Sequence, residues 1–142
     1  MKARDILRRK GNLVIAVSPD SSVLDALKLM ADKNVGGVLV MKDEKLIGIF
    51  TERDYARKII LKGKSSADSS IRDVMVSNLI TITPENDLNE CMKLMTDKTI
   101  RHLPVMEEGK VVGLISIGDV VKSIIEEQQS VIQHLEQYIA GQ

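Results

Sequence analysis

Residues 48–54, Gly-Ile-Phe-Thr-Glu-Arg-Asp, have a counterpart in residues 113–119, Gly-Leu-Ile-Ser-Ile-Gly-Asp, 65 positions further along the chain. The same displacement places residues 17–60 on residues 82–125 without a gap, and 13 of the 44 pairs are identical. An internal repeat of this size indicates one structural unit used twice. Two copies within 142 residues predict one module, in which the copies pack on each other about a pseudo-twofold axis.

Each copy has the pattern strand, helix, strand, strand, helix, because runs of aliphatic residues alternate with stretches of helical periodicity. In the first copy we expect strands at residues 13–17, 38–41 and 46–50, a helix capped by Ser21 or Ser22, and a second helix from Glu52 to about Leu61. In the second copy we expect strands at residues 79–82, 103–106 and 111–115, a helix over residues 88–96 capped by Asp87, and a last helix capped by Ser116. The fold class is therefore α/β, with two βαββα units.

A short preface precedes each copy, since residues 3–7, Ala-Arg-Asp-Ile-Leu, match residues 71–75, Ile-Arg-Asp-Val-Met. The boundaries predicted from this pattern are 1–61 for the first repeat with its N-terminal helix, 62–70 for a Ser-rich linker, 71–127 for the second repeat and 128–142 for a C-terminal helical extension. The linker is too short to separate the repeats widely.

The closing helix breaks the symmetry because it continues past the end of the repeat, without Pro or Gly from residue 119 to residue 140. Its apolar positions follow the spacing of a coiled-coil seam, at Val121, Ile125, Gln128, Ile132, Leu135 and Ile139. We expect a homodimer formed through the helices of the module and this extension. The alternative is that the extension folds back on its own domain.

Composition excludes several classes of protein. The 20 Lys and Arg residues balance 20 Asp and Glu residues, whereas a general nucleic-acid binder needs a surplus of positive charge. No apolar run approaches the roughly 20 residues of a membrane span, and the N-terminus has no stretch of signal-peptide type. The single cysteine, Cys91, rules out an intramolecular disulfide and fits a buried core position in a cytoplasmic protein.

The two matching turns carry the polar residues with chemical potential, Thr51 and Asp54 in one copy and Ser116 and Asp119 in the other. One interpretation is a helix cap followed by an acid that the helix dipole favours. That interpretation explains less well why both acids are Asp, because Glu has the better reach to complete a capping box. The other interpretation is a ligand site, in which backbone N–H groups bind phosphate and the short carboxylate accepts from ribose hydroxyls.

The order and duplication of these motifs resemble a known family. Gly-x-x-(Thr/Ser)-x-x-Asp occurs twice, each time after a strand-Pro-helix pattern, and residues 101–105 read Arg-His-Leu-Pro-Val. From Ala3 to about Glu127 the chain resembles a tandem pair of CBS (cystathionine-β-synthase) domains. The resemblance implies two βαββα units packed through their sheets, and two inter-repeat clefts that bind an adenosine-containing effector such as AMP, ATP, NAD or S-adenosylmethionine. It also implies regulation of a separate partner protein, with no required cofactor.

The resemblance also implies roles for particular residues. Asp54 and Asp119 would hold ribose hydroxyls, while Thr51 and Ser116 would contact ribose or phosphate. The Asp54 cleft would read the adenine edge with the backbone of Leu79, Ile80 and Thr81, and would hold phosphates with Arg101, His102 and, as a further contact, Arg53. The Asp119 cleft would use the backbone of Val14, Ile15 and Ala16. The alternative for Arg53 is a solvated helix face.

The copies differ in charge at these positions. Gly36 and Gly37 match Arg101 and His102, and Gly118 matches Arg53. This comparison predicts that the Asp54 cleft is the better nucleotide site, and that the Asp119 cleft is weaker or takes a less charged group.

The function predicted is a regulatory, non-enzymatic module that senses an adenosine-containing ligand. One alternative is a ligand-independent dimerisation scaffold. Another is a nucleotide hydrolase with His102 as its titratable group, although the sequence has no recognisable nucleophile–base pair or metal-ligand spacing.

Overall fold

Apart from the strand expected at residues 79–82, helices and strands follow one another in the predicted order, in a computed structural model that describes residues 1–11 and 13–141. Asn12, and Gln142 of the C-terminal extension, lie outside the described residues. The helices are α1 (Ala3–Lys10), α2 (Val23–Lys33), α3 (Glu52–Tyr55), α4 (Ile71–Val74), α5 (Leu88–Lys98) and α6 (Ile117–Ala140), and a π-helical turn at Ala56–Ile60 continues α3. The strands are β1 (Ala16–Val17), β2 (Gly37–Lys42), β3 (Lys45–Thr51), β4 (His102–Glu107) and β5 (Lys110–Ser116). The mixed architecture of two related units with a long C-terminal helix is as predicted.

Matching local signals begin and end the long helix of each copy. The side chains of Ser22 and Asp87 accept hydrogen bonds from backbone N–H groups in the first turns of α2 and α5. Both helices end at a residue in the left-handed region, Asn34 at φ 53° and Thr99 at φ 54°. These caps confirm Asp87 and Ser22 as helix starts, because short polar side chains satisfy the unpaired N–H groups there.

The sheets show where the second copy departs from the first. Strand β1 pairs in parallel with β2, and β2 pairs antiparallel with β3, whereas β4 and β5 form a two-stranded sheet. The prediction of a strand at residues 79–82 is wrong, since this segment forms only a single parallel bridge, between Ile82 and Val105. In the first copy, the Leu39 N–H donates to the Ile15 carbonyl at 3.1 Å. The equivalent residue is Pro104, which has no N–H to donate, so the pairing stops one residue short.

The strand expected at residues 13–17 is likewise shorter than predicted. Only Ala16 and Val17 form ladder pairs, with Leu39 and Val40. Val14 is exposed and lies outside the strand.

The preface helices pack on the opposite copies. Buried residues of α1, among them Ala3, Ile6 and Leu7, belong to a hydrophobic core with α5, β4 and β5. Buried residues of α4, Ile71 and Val74, belong to the core formed by α2, β2 and β3. The N-terminal helix is therefore continuous in sequence with the first repeat but completes the core of the second.

Backbone hydrogen bonds fix this exchange with the same pattern twice. The N–H of Ala3 donates to Asn86 O at 2.8 Å and that of Arg4 to Pro84 O at 2.9 Å. The equivalent pairs are Ile71 with Ser21 at 2.9 Å, and Arg72 with Pro19 at 3.0 Å. Because each preface is bonded to the proline turn of the other copy, the two repeats form one module.

The last part of α6 extends beyond the module. All described residues from Glu127 onward are exposed, so among residues 127–141 nothing folds back on the domain as the alternative supposed. The exposed apolar side chains there are Val131, Ile132, Leu135, Tyr138 and Ile139. The helix ends at Ala140, before the glycine expected to stop it.

Candidate functional site

Reciprocal capping boxes form at the starts of α3 and α6. The Thr51 N–H donates to Asp54 Oδ2 at 3.0 Å, and the Asp54 N–H donates back to Thr51 Oγ1 at 3.4 Å. The equivalent distances are 2.9 Å from the Ser116 N–H to Asp119 Oδ2, and 3.1 Å from the Asp119 N–H to Ser116 Oγ. The expectation that Asp is poorly suited to close such a box is wrong, since both aspartates close it. The boxes hold each carboxylate in one orientation at the first turn of a helix.

A lysine is bound to each of these aspartates, but from a different part of the chain. Lys58, in the π-helical turn, lies 3.1 Å from Asp54 Oδ1 and donates to the carbonyl of Val74 at the end of α4. Lys10, at the end of α1, donates to Asp119 Oδ2 at 2.8 Å and to the Leu114 carbonyl at 2.9 Å. Each ion pair therefore joins a cap to a preface helix.

The ion pair with Lys10 affects the ionisation of Asp119. Burial alone would raise the pKa of this carboxyl, but the hydrogen bonds from Lys10 and Ser116 outweigh it and lower the pKa below its usual value. Asp119 is therefore ionised at neutral pH.

The first cavity, of about 610 Å³, lies at the Asp54 cap. It brings together five residues predicted for this cleft, Thr51, Arg53, Asp54, Arg101 and His102. Among the described residues, Leu79, Ile80 and Thr81 are not part of its lining, and Ile49, Val76 and Ile100 form the apolar wall. The sequence reasoning missed Glu52, which also lines this cavity.

The second cavity, of about 430 Å³, lies at the Asp119 cap. Predicted residues Ile15, Ser116 and Asp119 line it, together with the backbone of Gly36 and Gly37. Val14 instead lines a separate cavity beside Arg4 and Arg8, and Ala16 lies in β1. The sequence reasoning missed three polar residues of this lining, Lys10, Lys33 and Asn34.

His102 separates the two cavities, since it lines both, as do Gly36 and Ser116. Its ring lies so close to Gly37 that a Cβ there would be 3.1 Å from Cδ2 and Nε2 of His102. Burial lowers the pKa of His102, and the positive charges of Lys10 and Arg101 lower it further. The carboxylates of Asp119 and Asp54 raise the pKa, but by less. The imidazole is therefore neutral at neutral pH.

The charged side chains that line the two cavities differ from those that the comparison of the repeats identified. The Asp54 cavity has two cations, Arg53 and Arg101, against two carboxylates, Glu52 and Asp54. The Asp119 cavity has Lys10 and Lys33 against Asp119 alone. The cations of the Asp119 cavity come from the ends of α1 and α2 and not from the positions matching Arg101 and His102, so a comparison of equivalent positions could not find them. The predicted ranking of the two clefts as nucleotide sites stays a prediction.

Comparison with known proteins assigns the fold to a family. A sequence model of the CBS domain matches residues 3–61 and again residues 71–126. The chain belongs to the CBS-domain family. The CBS domain-containing protein CBSX3, mitochondrial, of Arabidopsis thaliana is 41% identical over 146 residues, an alignment that covers 96% of this chain and 71% of that protein.

Solved CBS structures agree with this assignment. The CBS-domain structure of NE2398 is 45% identical, with a TM-score of 0.84 over 88% of this chain and 98% of that one. The CBS domain pair of MJ0100, solved in complex with 5′-methylthioadenosine and S-adenosyl-L-methionine, has a TM-score of 0.79 over 89% of this chain and 98% of that one. At 23% identity this last likeness shows the fold alone.

Other features of this CBS pair bear on the earlier expectations. Within residues 1–11 and 13–141, no cluster of three metal-ligating side chains occurs, and no helix is long and apolar enough to cross a bilayer. Cys91 is buried, and burial raises the pKa of its thiol to about 11. The cytoplasmic location stays a prediction, and the Arabidopsis relative is named as mitochondrial.

Proposed function

We propose that this CBS pair is a regulatory module that binds an adenosine-containing ligand, such as AMP, ATP, NAD or S-adenosylmethionine, in the clefts between its repeats. The observation that carries the proposal is the pair of adjoining cavities, each with a hydroxyl and an aspartate at the start of a helix. Cavities of about 430 and 610 Å³ lie within the usual range of small-molecule sites. The adenosine ligands in the MJ0100 complex support the same use of this fold.

The cap chemistry suits a nucleoside with an anionic group. Vicinal ribose hydroxyls are hydrogen-bond donors, which the fixed carboxylates of Asp54 and Asp119 accept. The hydroxyls of Thr51 and Ser116 contact the ribose or a phosphate, whose charge the positive end of the helix favours. Arg53 and Arg101 are the proposed phosphate contacts of the Asp54 cleft, beside His102, and of these Arg53 already donates to the carbonyl of Thr99 at 2.8 Å.

The backbone segments assigned to adenine remain part of the proposal. Ile15 lines the Asp119 cavity, between Val14 and Ala16 in sequence. For the Asp54 cleft, the carbonyl of Ile80 is the acceptor that Pro104 leaves without an N–H partner in the sheet, which supports a role for the segment Leu79, Ile80 and Thr81.

Regulation follows from the connection between the caps and the preface helices. A ligand that binds one conformation better than another shifts the population toward it. Because Lys58 joins Asp54 to α4, and Lys10 joins Asp119 to α1, a ligand that changes either ion pair changes how a preface helix is held. We infer that this change alters the affinity for a partner protein, with no catalysis by the module itself.

The exposed end of α6 favours a second role, as a dimerisation element. We infer that two copies pair through the module helices and through the seam of α6, where Ile132, Leu135 and Ile139 are exposed. If the clefts bind no ligand, the protein is a dimerisation scaffold that acts independently of nucleotide.

Equilibrium titration of the protein with AMP, ATP, NAD and S-adenosylmethionine tests the proposal. We expect saturable binding of at least one ligand, reduced by Asp54→Asn or Asp119→Asn and unchanged by the control Asp68→Asn in the exposed linker. Absence of binding by all four at millimolar concentration would overturn the regulatory function and leave the scaffold.

A further inference from the structure

The two cap aspartates differ in how much of the carboxylate is available. The Asp54 side chain is 8% exposed, and both its oxygens are occupied, Oδ2 by Thr51 and Oδ1 by Lys58. The Asp119 side chain is 23% exposed. Its Oδ2 accepts from Ser116 and Lys10, while its Oδ1 has no hydrogen-bond partner among the described residues. A ribose hydroxyl can therefore donate to an oxygen of Asp119 that has no other partner, whereas at the less exposed Asp54 it would share Oδ1 with Lys58.

Lys10 provides a hydrogen-bond donor to the same cavity. Its ammonium has three N–H donors, of which Asp119 and the Leu114 carbonyl occupy two. The third N–H donor remains for a group bound beside the aspartate. Lys10 lines this cavity, and its position is fixed by the end of α1, which packs on the second repeat.

The surroundings favour a negative ligand at this place. Lys33, at the end of α2, lines the cavity from the other repeat, and Asp32, 4.0 Å from its Nζ, is not part of the lining. The neighbouring Asp54 cavity adds Glu52 to its own aspartate. Lys58, the partner of Asp54, is not part of the lining of that cavity among the described residues. An anionic group in the Asp119 cavity therefore meets two ammonium groups in the lining, one of them beside an aspartate oxygen that is free to accept from ribose.

We propose that the Asp119 cleft is the tighter site, and that Lys10 makes it selective for adenosine ligands with a negatively charged group over neutral or positively charged ones. This inference rests on the proposed function and names the ligand class of one of its two sites. Lys10 acts by direct contact with the anionic group and by neutralising Asp119, whose unpaired charge would otherwise repel it.

A charge series of ligands tests this selectivity by calorimetry. AMP is anionic, adenosine is neutral and S-adenosylmethionine carries a net positive charge, and all three contain the same nucleoside. For the wild-type protein we expect AMP to bind most tightly, and Asp119→Asn, but not Asp54→Asn, to remove the tighter site. Lys10→Met should weaken AMP binding by about tenfold or more, the usual size of a hydrogen bond to a charged group, and leave adenosine binding unchanged or stronger.

Matched variants separate selectivity from folding. Lys58→Met removes the lysine that pairs with Asp54, and it should leave the tighter site unchanged. Lys10→Arg keeps the positive charge and should retain most of the preference for AMP. If Lys10→Met fails to fold, the salt dependence of wild-type binding replaces it, since added salt should weaken AMP binding and not adenosine binding.

The outcomes distinguish the two proposals. Binding of none of the three ligands by the wild-type protein overturns the proposed function. If the wild-type protein binds ligand, the proposed function stands and the role of Lys10 is tested separately. That role is overturned if Lys10→Met weakens AMP and adenosine binding equally, or leaves AMP binding unaffected. The ranking of the clefts is overturned if Asp54→Asn removes the tighter site. Equal weakening of AMP and adenosine by salt overturns the role of Lys10 as well.

Discussion

Leu7 occupies the space in which a side chain at residue 113 would lie, since a Cβ built on Gly113 would be 2.5 Å from Leu7 Cδ2. The equivalent glycine, Gly48, faces the side chain of Met75 at 2.7 Å and the Val76 carbonyl at 3.1 Å. Both glycines, identical in the two repeats, thus permit the close approach of the segment that arrives from the other repeat.

Replacement of Gly113 by alanine should destabilise the protein by about 1–3 kcal/mol, because the added methyl group overpacks a buried contact. Chemical unfolding measures the effect. The control is Gly118→Ala in the first turn of α6, where the nearest atom is Ser116 Oγ at 3.7 Å. This control should be neutral or stabilising by about 0.5–1 kcal/mol. Equal stability of Gly113→Ala and wild type would contradict the expected overpacking against Leu7.

Because each preface helix packs on the other repeat, shortening a buried side chain in it should destabilise that other repeat. Leu7→Ala and Val74→Ala each remove a buried side chain, at a cost of about 2–5 kcal/mol for a Leu-sized truncation and less for Val. Amide hydrogen exchange should show lost protection in β4, β5 and α5 for Leu7→Ala, and in β2, β3 and α2 for Val74→Ala. Loss of protection in the repeat that follows each helix directly in sequence would contradict the exchange.

His102 should make stability depend on pH in the weakly acidic range. Its pKa is lowered in the folded protein, so the unfolded chain binds a proton first, and stability is full above the unfolded pKa of about 6.5. It is then lost as pH falls through the folded pKa. Urea unfolding from pH 7 to pH 5 should show this loss for wild type and a smaller one for His102→Gln.

The other histidine, His134, provides the control for this titration. It lies on the exposed part of α6, so His134→Gln should keep the wild-type pH dependence. The same slope in His102→Gln and wild type would show that other groups cause it.

The exposed seam of α6 should contribute to assembly and not to the stability of the module. A double variant, Ile132→Gln with Leu135→Gln, should raise the dimer dissociation constant at least about tenfold, equivalent to about 1.4 kcal/mol. Light scattering across a dilution series measures this constant, and thermal unfolding of the dilute protein should be unchanged. Glu136→Gln, one residue off the seam, serves as the control, and equal dissociation constants in all forms would exclude the seam from the dimer.

Much of the fold could be predicted because it depends on local signals. The caps at Ser22 and Asp87, the hairpin strands and the positions of Thr51 and Ser116 all follow from short stretches of sequence. The truncated pairing at Ile82 also had a visible signal, since proline stands at residue 104 where the first copy has Leu39.

The contents of the clefts could be predicted only in part. Comparing equivalent positions found Arg101 and His102, but it could not find Lys10, which reaches Asp119 across 109 positions of sequence. That contact depends on the packing of α1 on the second repeat, and sequence adjacency points to the first. The identity of Gly48 and Gly113 was the one local sign that something approaches both strands closely.

The exchange of α1 and α4 also bears on how such a tandem chain can have arisen. A polypeptide with only one repeat would carry a preface helix that cannot cover its own core, and would complete that core by trading helices with a second identical chain. Gene duplication and fusion would then convert an obligate domain-swapped homodimer into a single chain. On this account the 65-residue period of the chain would be the covalent record of that intermolecular symmetry.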